Sequence, residues 1–283
     1  LNFELFYAQP HTSGFWDAIQ YDPVLRGSNT WQIHHGLAYQ QKAVVPTNEW
    51  YTLCVEFAGD KASAWVGNQS RLYVERLALS PCAGAIGLWT YLPAYFKNLR
   101  VYDGPAPDGV TAGGQSQDGE PVAPSRENSQ PRGPAAPIEA SASSPPPNSI
   151  LEWLAEGYGV IYAESNGIIL LNRFFPVSLA EATLTRRFVL ERPAEVRISL
   201  GFSDKATATI DGQEAFSGAN TYKPTPDRAG RGYVQHGRYK FSKKLAQGEH
   251  SLSVRVGVTE NFGWGLAATI AGDGLELLPA RSL

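Results

Sequence analysis

The chain has 283 residues, 43% of them hydrophobic, and its 24 Lys and Arg stand against 27 Asp and Glu for a formal net charge of −3. That length holds two domains of about 100–150 residues, each able to bury a core without disulfide staples. No basic field exists to neutralise a phosphate backbone, which weighs against a nucleic-acid partner, and no apolar run reaches the ~18 residues of a membrane-spanning helix.

The chain opens on Leu1-Asn2-Phe3-Glu4-Leu5-Phe6-Tyr7, already strand-like; no signal peptide is visible in the sequence, and it holds no methionine. A fragment of a longer chain is the expectation. Short strands recur from there. They are expected at Thr30 to His34, Trp50 to Phe57, Ala62 to Val66, Arg71 to Val74, Gly84 to Trp89 and Leu99 to Tyr102, with glycine turns at Gly59-Asp60 and Gly67-Asn68. This spacing predicts a sandwich over residues 1–103. Cys54, within a strand, and Cys82, ahead of one, either bridge neighbouring strands or remain buried thiols.

Residues 104–149 are Pro, Gly, Ser, Ala, Gln and Glu with almost no large apolar side chain, closing on Pro145-Pro146-Pro147. Such a segment buries too little surface to offset its ordering entropy and reads as a disordered linker. Residues 150–283 return to alternation. Ile150 to Leu154 reads as a short helix or a docking strand. Ala182, Leu184, Phe188 and Leu190 share one parity, as do Val196, Ile198, Leu200 and Phe202, and Leu252, Val254, Val256 and Val258. Asp211-Gly212 is the strongest hairpin signal, and Gly263 to Ile270 is a late strand. The expected fold class is all-β, with two antiparallel β-sandwich (jelly-roll) domains, 1–103 and 150–283, joined by the linker.

Particular runs carry resemblances. Glu4-Leu5-Phe6-Tyr7, Trp16 to Tyr21, Trp31-Gln32-Ile33, Trp50 to Leu53, Gly84 to Trp89 and Tyr95 to Leu99 make the first module similar to concanavalin-like (laminin-G/glucanase-type) jelly rolls. Its nearest likeness is to bacterial secreted domains grouped with the 3-keto-glycoside hydrolases. The leading strands of that family are missing. Glu164 to Gly167, Leu171-Asn172-Arg173, Gly201 to Asp204, Asp211-Gly212-Gln213, Phe216 to Tyr222, Leu245 to Leu252 and Gly263-Trp264-Gly265 make the second module resemble the galactose-binding-type jelly roll of carbohydrate-binding modules. The resemblances imply an extracytoplasmic home and a polysaccharide or glycan partner. They also imply that a structural Ca²⁺ is common in such sandwiches, although no ligand run here identifies one and no cofactor is expected.

Sugar sites pair a flat aromatic face with planar polar groups that read hydroxyl directions. Trp16, Asp17, Gln20 and Tyr21 mix these types on one loop, the alternative being two core plugs and a turn cap. In the second module Asn220, Tyr222, Asp227, Arg228 and Arg231 lie on a Gly-rich loop between strands, where rigid sandwiches often place binding groups. Tyr222 would stack, while the Asp and Arg side chains would bond hydroxyls or a uronate; the alternative is an Arg–Asp network that pins the loop. Ser203-Asp204 reads as a strand-end cap. His34 and His35, adjacent on an expected strand, point to opposite faces and so do not share a metal. Glu4 is kept as a catalytic candidate, because paired carboxylates at about 5–10 Å define glycosidases. No nucleophile elbow, phosphate loop or Cys/His metal pattern appears. The leading expectation is a carbohydrate-binding or accessory protein. The alternatives are a glycoside hydrolase whose cleft lies partly outside this chain and a structural or adhesive module.

Overall fold

The computed structural model describes residues 1–79, 84–104, 144–224 and 228–281. Its regular structure is antiparallel β, apart from short 3-10 turns. Contacts divide the chain into two units. One takes Phe6–Tyr21 and Tyr39–Ile138, and the other takes Leu1–Leu5, Asp22–Ala38 and Glu139–Leu283, each as far as it is described. Most of the expected linker, 104–149, lies outside the described residues. Its last stretch does not: Ser149 bridges Thr269, and Ile270 donates its N–H to Asn148 O.

The unit built around residues 6–21 has two three-stranded sheets. Strands β1 (Phe6–Ala8), β2 (Ile19–Tyr21) and β3 (Gln40–Gln41) form one, and β4 (Leu53–Ala58), β5 (Lys61–Val66) and β6 (Leu72–Val74) form the other. The β4–β5 hairpin turns at Gly59-Asp60, with Gly59 at φ 64°. Ala18, Ile19, Tyr21, Val45, Ala64, Val66, Leu72 and Val74 make the core. Among the described residues β5 is the only strand paired with β4, whose Leu53, Val55 and Phe57 are exposed. Residues 84–89 and 99–102, expected as strands, carry none, and their large apolar side chains are exposed. Strand-like composition still needs a partner edge for its N–H and C=O groups, and these segments pair with no strand among the described residues. Cys54 is half-buried on β4 opposite Trp65, while Cys82 lies outside the described residues.

The other unit is a two-sheet sandwich. Its strands are β7 (Glu152–Ala155), β8 (Gly159–Tyr162), β9 (Ile168–Leu170), β10 (Glu181–Leu190), β11 (Ala194–Ser203), β12 (Lys205–Ile210), β13 (Gln213–Ala219), β14 (Tyr239–Leu245), β15 (Gly248–Gly257), β16 (Gly265–Ala271) and β17 (Leu275–Leu277). One sheet runs β13-β12-β15-β10-β7-β8, with β17 also on β10, and the other runs β14-β11-β16-β9. The parities read from the sequence face the core between them. Leu184 lies opposite Val254 and Ala182 opposite Val256, all buried, while Val196, Ile198, Leu200 and Phe202 face them from β11. Removing each such side chain from water contributes about 1.5–3 kcal/mol. The inward parity of β10 includes a charge, Arg186, whose Nη1 meets Glu152 Oε1 at 2.6 Å. The stretch Ile150 to Leu154 carries no helix, and Glu152 onward is strand β7. Asp211 and Gly212 both take positive φ, 52° and 76°, which is the geometry of a two-residue hairpin turn that follows strand twist.

Leu1–Leu5 and Asp22–Ala38 belong to this second unit although they sit in the first hundred residues. Residues 30–34, expected as a strand, form a turn: the N–H groups of Ile33 and His34 both donate to Thr30 O, at 2.8 and 2.9 Å. Asp22 starts this turn by accepting the Thr30 N–H at 2.8 Å. Thr30 Oγ1 donates to Pro23 O at 2.6 Å and has no second proton, so the 2.8 Å contact to His34 is donated by the imidazole Nδ1–H. Burial pushes the Asp22 carboxyl up to about 7, against the lowering pull of its Thr30 bonds. Burial, followed by the charges of Arg173 and His35, pulls the His34 imidazole down to about 3.

These two groups act oppositely on stability. From about pH 4 to 6.5 folded Asp22 keeps a proton that the unfolded chain has lost, which alone makes stability fall as pH rises. Over the same range folded His34 lacks a proton that the unfolded chain holds, which alone makes stability rise. Together they cancel. Asp22→Asn is therefore expected to expose the histidine slope, with stability rising by about 1.4 kcal/mol per pH unit between about pH 4 and 6, and His34→Gln the opposite slope. Urea unfolding at three pH values checks this; parallel slopes in both variants and the parent chain would rule out the cancellation.

Candidate functional site

In the larger unit, four segments meet beyond the ends of β11, β13 and β15. Gln32, from the turn at residues 30–34, is the common partner. Its N–H donates to Phe262 O at 2.9 Å, and its C=O accepts the Val234 N–H at 2.8 Å. Its side-chain Oε1 accepts Ser203 Oγ at 2.6 Å, and its Nε2 reaches Glu260 Oε2 at 3.3 Å and Arg231 O at 3.4 Å. Gly232, at φ 73°, is required here: a Cβ would stand 2.4 Å from Gln32 Nε2.

Asp204 holds the loop after β15. It is fully buried, and its Oδ2 accepts the N–H groups of Thr259 and Glu260 at 2.6 and 2.7 Å and Thr259 Oγ1 at 3.1 Å. The strand-end capping read from Ser203-Asp204 is thus the role it plays. Asn220 ties the other side, donating Nδ2 to Phe202 O at 2.7 Å and Tyr233 O at 3.1 Å. Glu260 accepts the Tyr222 N–H at 2.8 Å. Burial first, and then the adjacent Asp204 charge and the hydrogen bond to it, raise the Glu260 carboxyl above the usual carboxylate range.

Over this polar floor stand aromatic rings. Trp31 is half-buried, with Tyr222 at 5.7 Å, Tyr233 at 5.3 Å and Phe262 at 5.4 Å between ring centres. Trp31 and Tyr222 meet edge to face at 83°, which makes a corner. His35 stacks on Tyr233 at 4.3 Å. The Arg231 guanidinium carbon is 6.0 Å from the centre of the Tyr222 ring. A half-exposed aromatic corner beside fixed acceptors and a cation has the chemistry to hold a polyhydroxylated ring.

The structure brings together three of the residues singled out in the sequence, Asn220, Tyr222 and Arg231. Asn220 is buried and serves the backbone. Asp227 lies outside the described residues, and Arg228 opens the short turn Arg228–Arg231. Trp16, Asp17, Gln20 and Tyr21 belong to the other unit. Tyr21 is fully buried there, stacked on Tyr39 at 5.9 Å, and its hydroxyl accepts the Ala78 N–H. Asp17 and Gln20 are also buried; the Asp17 carbonyl and Gln20 Oε1 both take Gln9 Nε2, at 2.8 and 3.2 Å. With no exposed surface, Tyr21 has no face to offer a sugar, so the core-plug alternative describes it. Trp16 is half-buried beside them. Glu4 is half-buried, between the Phe3–Val24 bridge and β1. The residues that sequence reasoning passed over are Trp31, Gln32, Glu260 and Phe262. Among the described residues no group of three metal-ligating side chains occurs.

No protein-family model matches the chain, and no curated protein does. Two crystal structures of a GH2 beta-galacturonidase from Eisenbergiella tayi, one bound to glycerol and one to galacturonate, match it at 18% identity and a TM-score of 0.28. Each match covers 42% of this chain and 23% of the enzyme, so less than a quarter of the enzyme is spanned. A superposition this loose carries no conclusion about activity.

Asn220→Ala leaves the Phe202 and Tyr233 carbonyls buried without their donor. The expected loss is about 2–3 kcal/mol of unfolding free energy in chemical denaturation, against which a change below about 0.5 kcal/mol would count.

Proposed function

We propose that this is a glycan-binding accessory protein and that the corner formed by Trp31, Tyr222 and Phe262 receives a sugar ring. The observation that carries this reading is a cluster of half-exposed rings seated on a buried hydrogen-bonded floor. The rings supply apolar faces for C–H surfaces, and half-buried Glu260, held in direction by Tyr222 and Gln32, supplies a polar group beside them, so little ordering cost remains on binding. The two-sheet unit that carries the corner suits a galactose-binding-like jelly roll, and the smaller unit a concanavalin-like one. An extracytoplasmic location and a polysaccharide partner belong to the same proposal.

Binding is favoured over glycoside hydrolysis by the state of the carboxyls. Glycosidases keep two carboxyl groups about 5–10 Å apart with the substrate between them. Asp204 is fully buried with its Oδ2 occupied by loop donors, and Glu260 hydrogen-bonds to it directly.

Trp31→Ala and Tyr222→Ala are each expected to weaken polysaccharide binding about tenfold or more, as truncated aromatic anchors do. Affinity electrophoresis across a panel of polysaccharides reads this, with thermal unfolding as the check on folding. Unchanged retention in both variants, or no retention of the parent chain on any polymer, defeats the proposal.

A further inference from the structure

The arginines of the larger unit differ in what faces them. Half-buried Arg173 pairs with Glu164 at 2.7 Å, and buried Arg186 pairs with Glu152 at 2.6 Å. Arg231 is half-buried too, yet it has no carboxylate within ion-pair distance among the described residues. Its Nε, like that of Arg186, is buried with no hydrogen-bond partner among the described residues. Its backbone is committed, with the carbonyl accepting Gln32 Nε2, so the residue is held in place while no described carboxylate pairs with its charge. A guanidinium with no carboxylate facing it gains more from an incoming anion than one already paired, as Arg173 and Arg186 are.

Glu260 does not fill that role. Its Oε2 is taken by the Tyr222 N–H and Gln32 Nε2. The guanidinium instead stands beside the Tyr222 ring, at the rim of the corner proposed to hold the sugar. A guanidinium presents parallel N–H groups that match two oxygens of one oxyanion. With a net charge of −3 the chain as a whole repels polyanions, so any preference for them has to be local.

We infer that the site selects an anionic sugar unit, with Arg231 bonding the charged group while Trp31 and Tyr222 hold the ring. This rests on the glycan-binding reading and adds the ligand class to it. A carboxylate of a uronic acid and a sulfate ester share the required chemistry.

The test compares three probes on the full chain by affinity electrophoresis and calorimetry: polygalacturonate, a neutral galactan and a sulfated galactan. The expected result is at least about tenfold tighter binding of one or both anionic polymers than of the neutral one, weakening as salt is raised. Arg231→Gln is expected to bring that ratio to about one and to remove the salt dependence, with Arg231→Lys in between. Whichever anionic polymer is preferred identifies the source of the charge. Equal binding of all three polymers, or a preference that survives Arg231→Gln, overturns the anionic selection and leaves glycan binding standing. Retention of none overturns both.

Discussion

Asp204 is an acidic side chain with no exposed surface, and that constraint organises the end of the larger sandwich. A buried carboxyl without donors is prohibitively costly, so the chain around it must supply them. The donors are the N–H groups of Thr259 and Glu260, so the loop after β15 has to curl over Asp204. That curl sets where Glu260 and Phe262 stand. From the other side, the Asp204 carbonyl accepts the Asn220 N–H at 2.6 Å, which fixes where the loop after β13 begins. Two loops that would otherwise be free at a sandwich edge are thus tied to one residue at the end of β11.

Gln32 extends the tie to a segment distant in sequence. Its backbone lies between Phe262 and Val234 and bonds to each, while its side chain satisfies the Ser203 hydroxyl, whose own residue has no exposed surface. A glutamine has one acceptor and two donors in a plane, and every one of these atoms is used here. A shorter side chain would not reach the Glu260 carboxylate and the Arg231 carbonyl, while the Ser203 hydroxyl also has Gly263 O within reach at 2.9 Å. Trp31 precedes Gln32, so the anchoring of the polar residue also sets the ring that forms the corner. Asp22, Thr30 and His34 stabilise the same turn from within, and they do so with a protonated-range carboxyl and a neutral imidazole, an arrangement that buries polar groups with little charge.

The strands of the larger unit were legible because two-residue alternation is a direct image of one buried face. Ala182 to Leu190, Val196 to Phe202 and Leu252 to Val256 all face the core, and Asp211-Gly212 turns as its residue types require. Alternation misled at Thr30 to His34. There an acidic side chain eight residues earlier caps a turn, and that pairing leaves no mark on the local pattern. It misled again at residues 84–89 and 99–102, where composition suits a strand but pairing needs an edge. Asn220, Tyr222 and Arg231 were recognisable from a polar, Gly-rich loop between strands. Trp31, Gln32 and Glu260 were not, because the contact between Gln32 and Glu260 spans 228 residues and neither residue is unusual among its neighbours. The Asn220 side chain was noticed for the wrong reason: its buried amide holds backbone carbonyls.

The same bonds that fix the site argue about what it does. A reactive carboxyl needs freedom to exchange a proton with substrate and a free face to attack or receive it. At this site the buried carboxyl is occupied by loop donors and the half-buried one by Tyr222, Gln32 and Asp204. Groups held this way lose little freedom when a ligand arrives, which is what the proposed binding role needs. Among the described residues, what remains uncommitted is at the rim: the outer surfaces of Trp31, Tyr222 and Phe262, and the charge of Arg231. Rings discriminate weakly among sugars, since a flat apolar face accepts the C–H side of many of them. A fixed guanidinium discriminates strongly, because a neutral ligand leaves its charge unanswered. On the proposed reading, affinity at this site follows from the rings, and selectivity from Arg231.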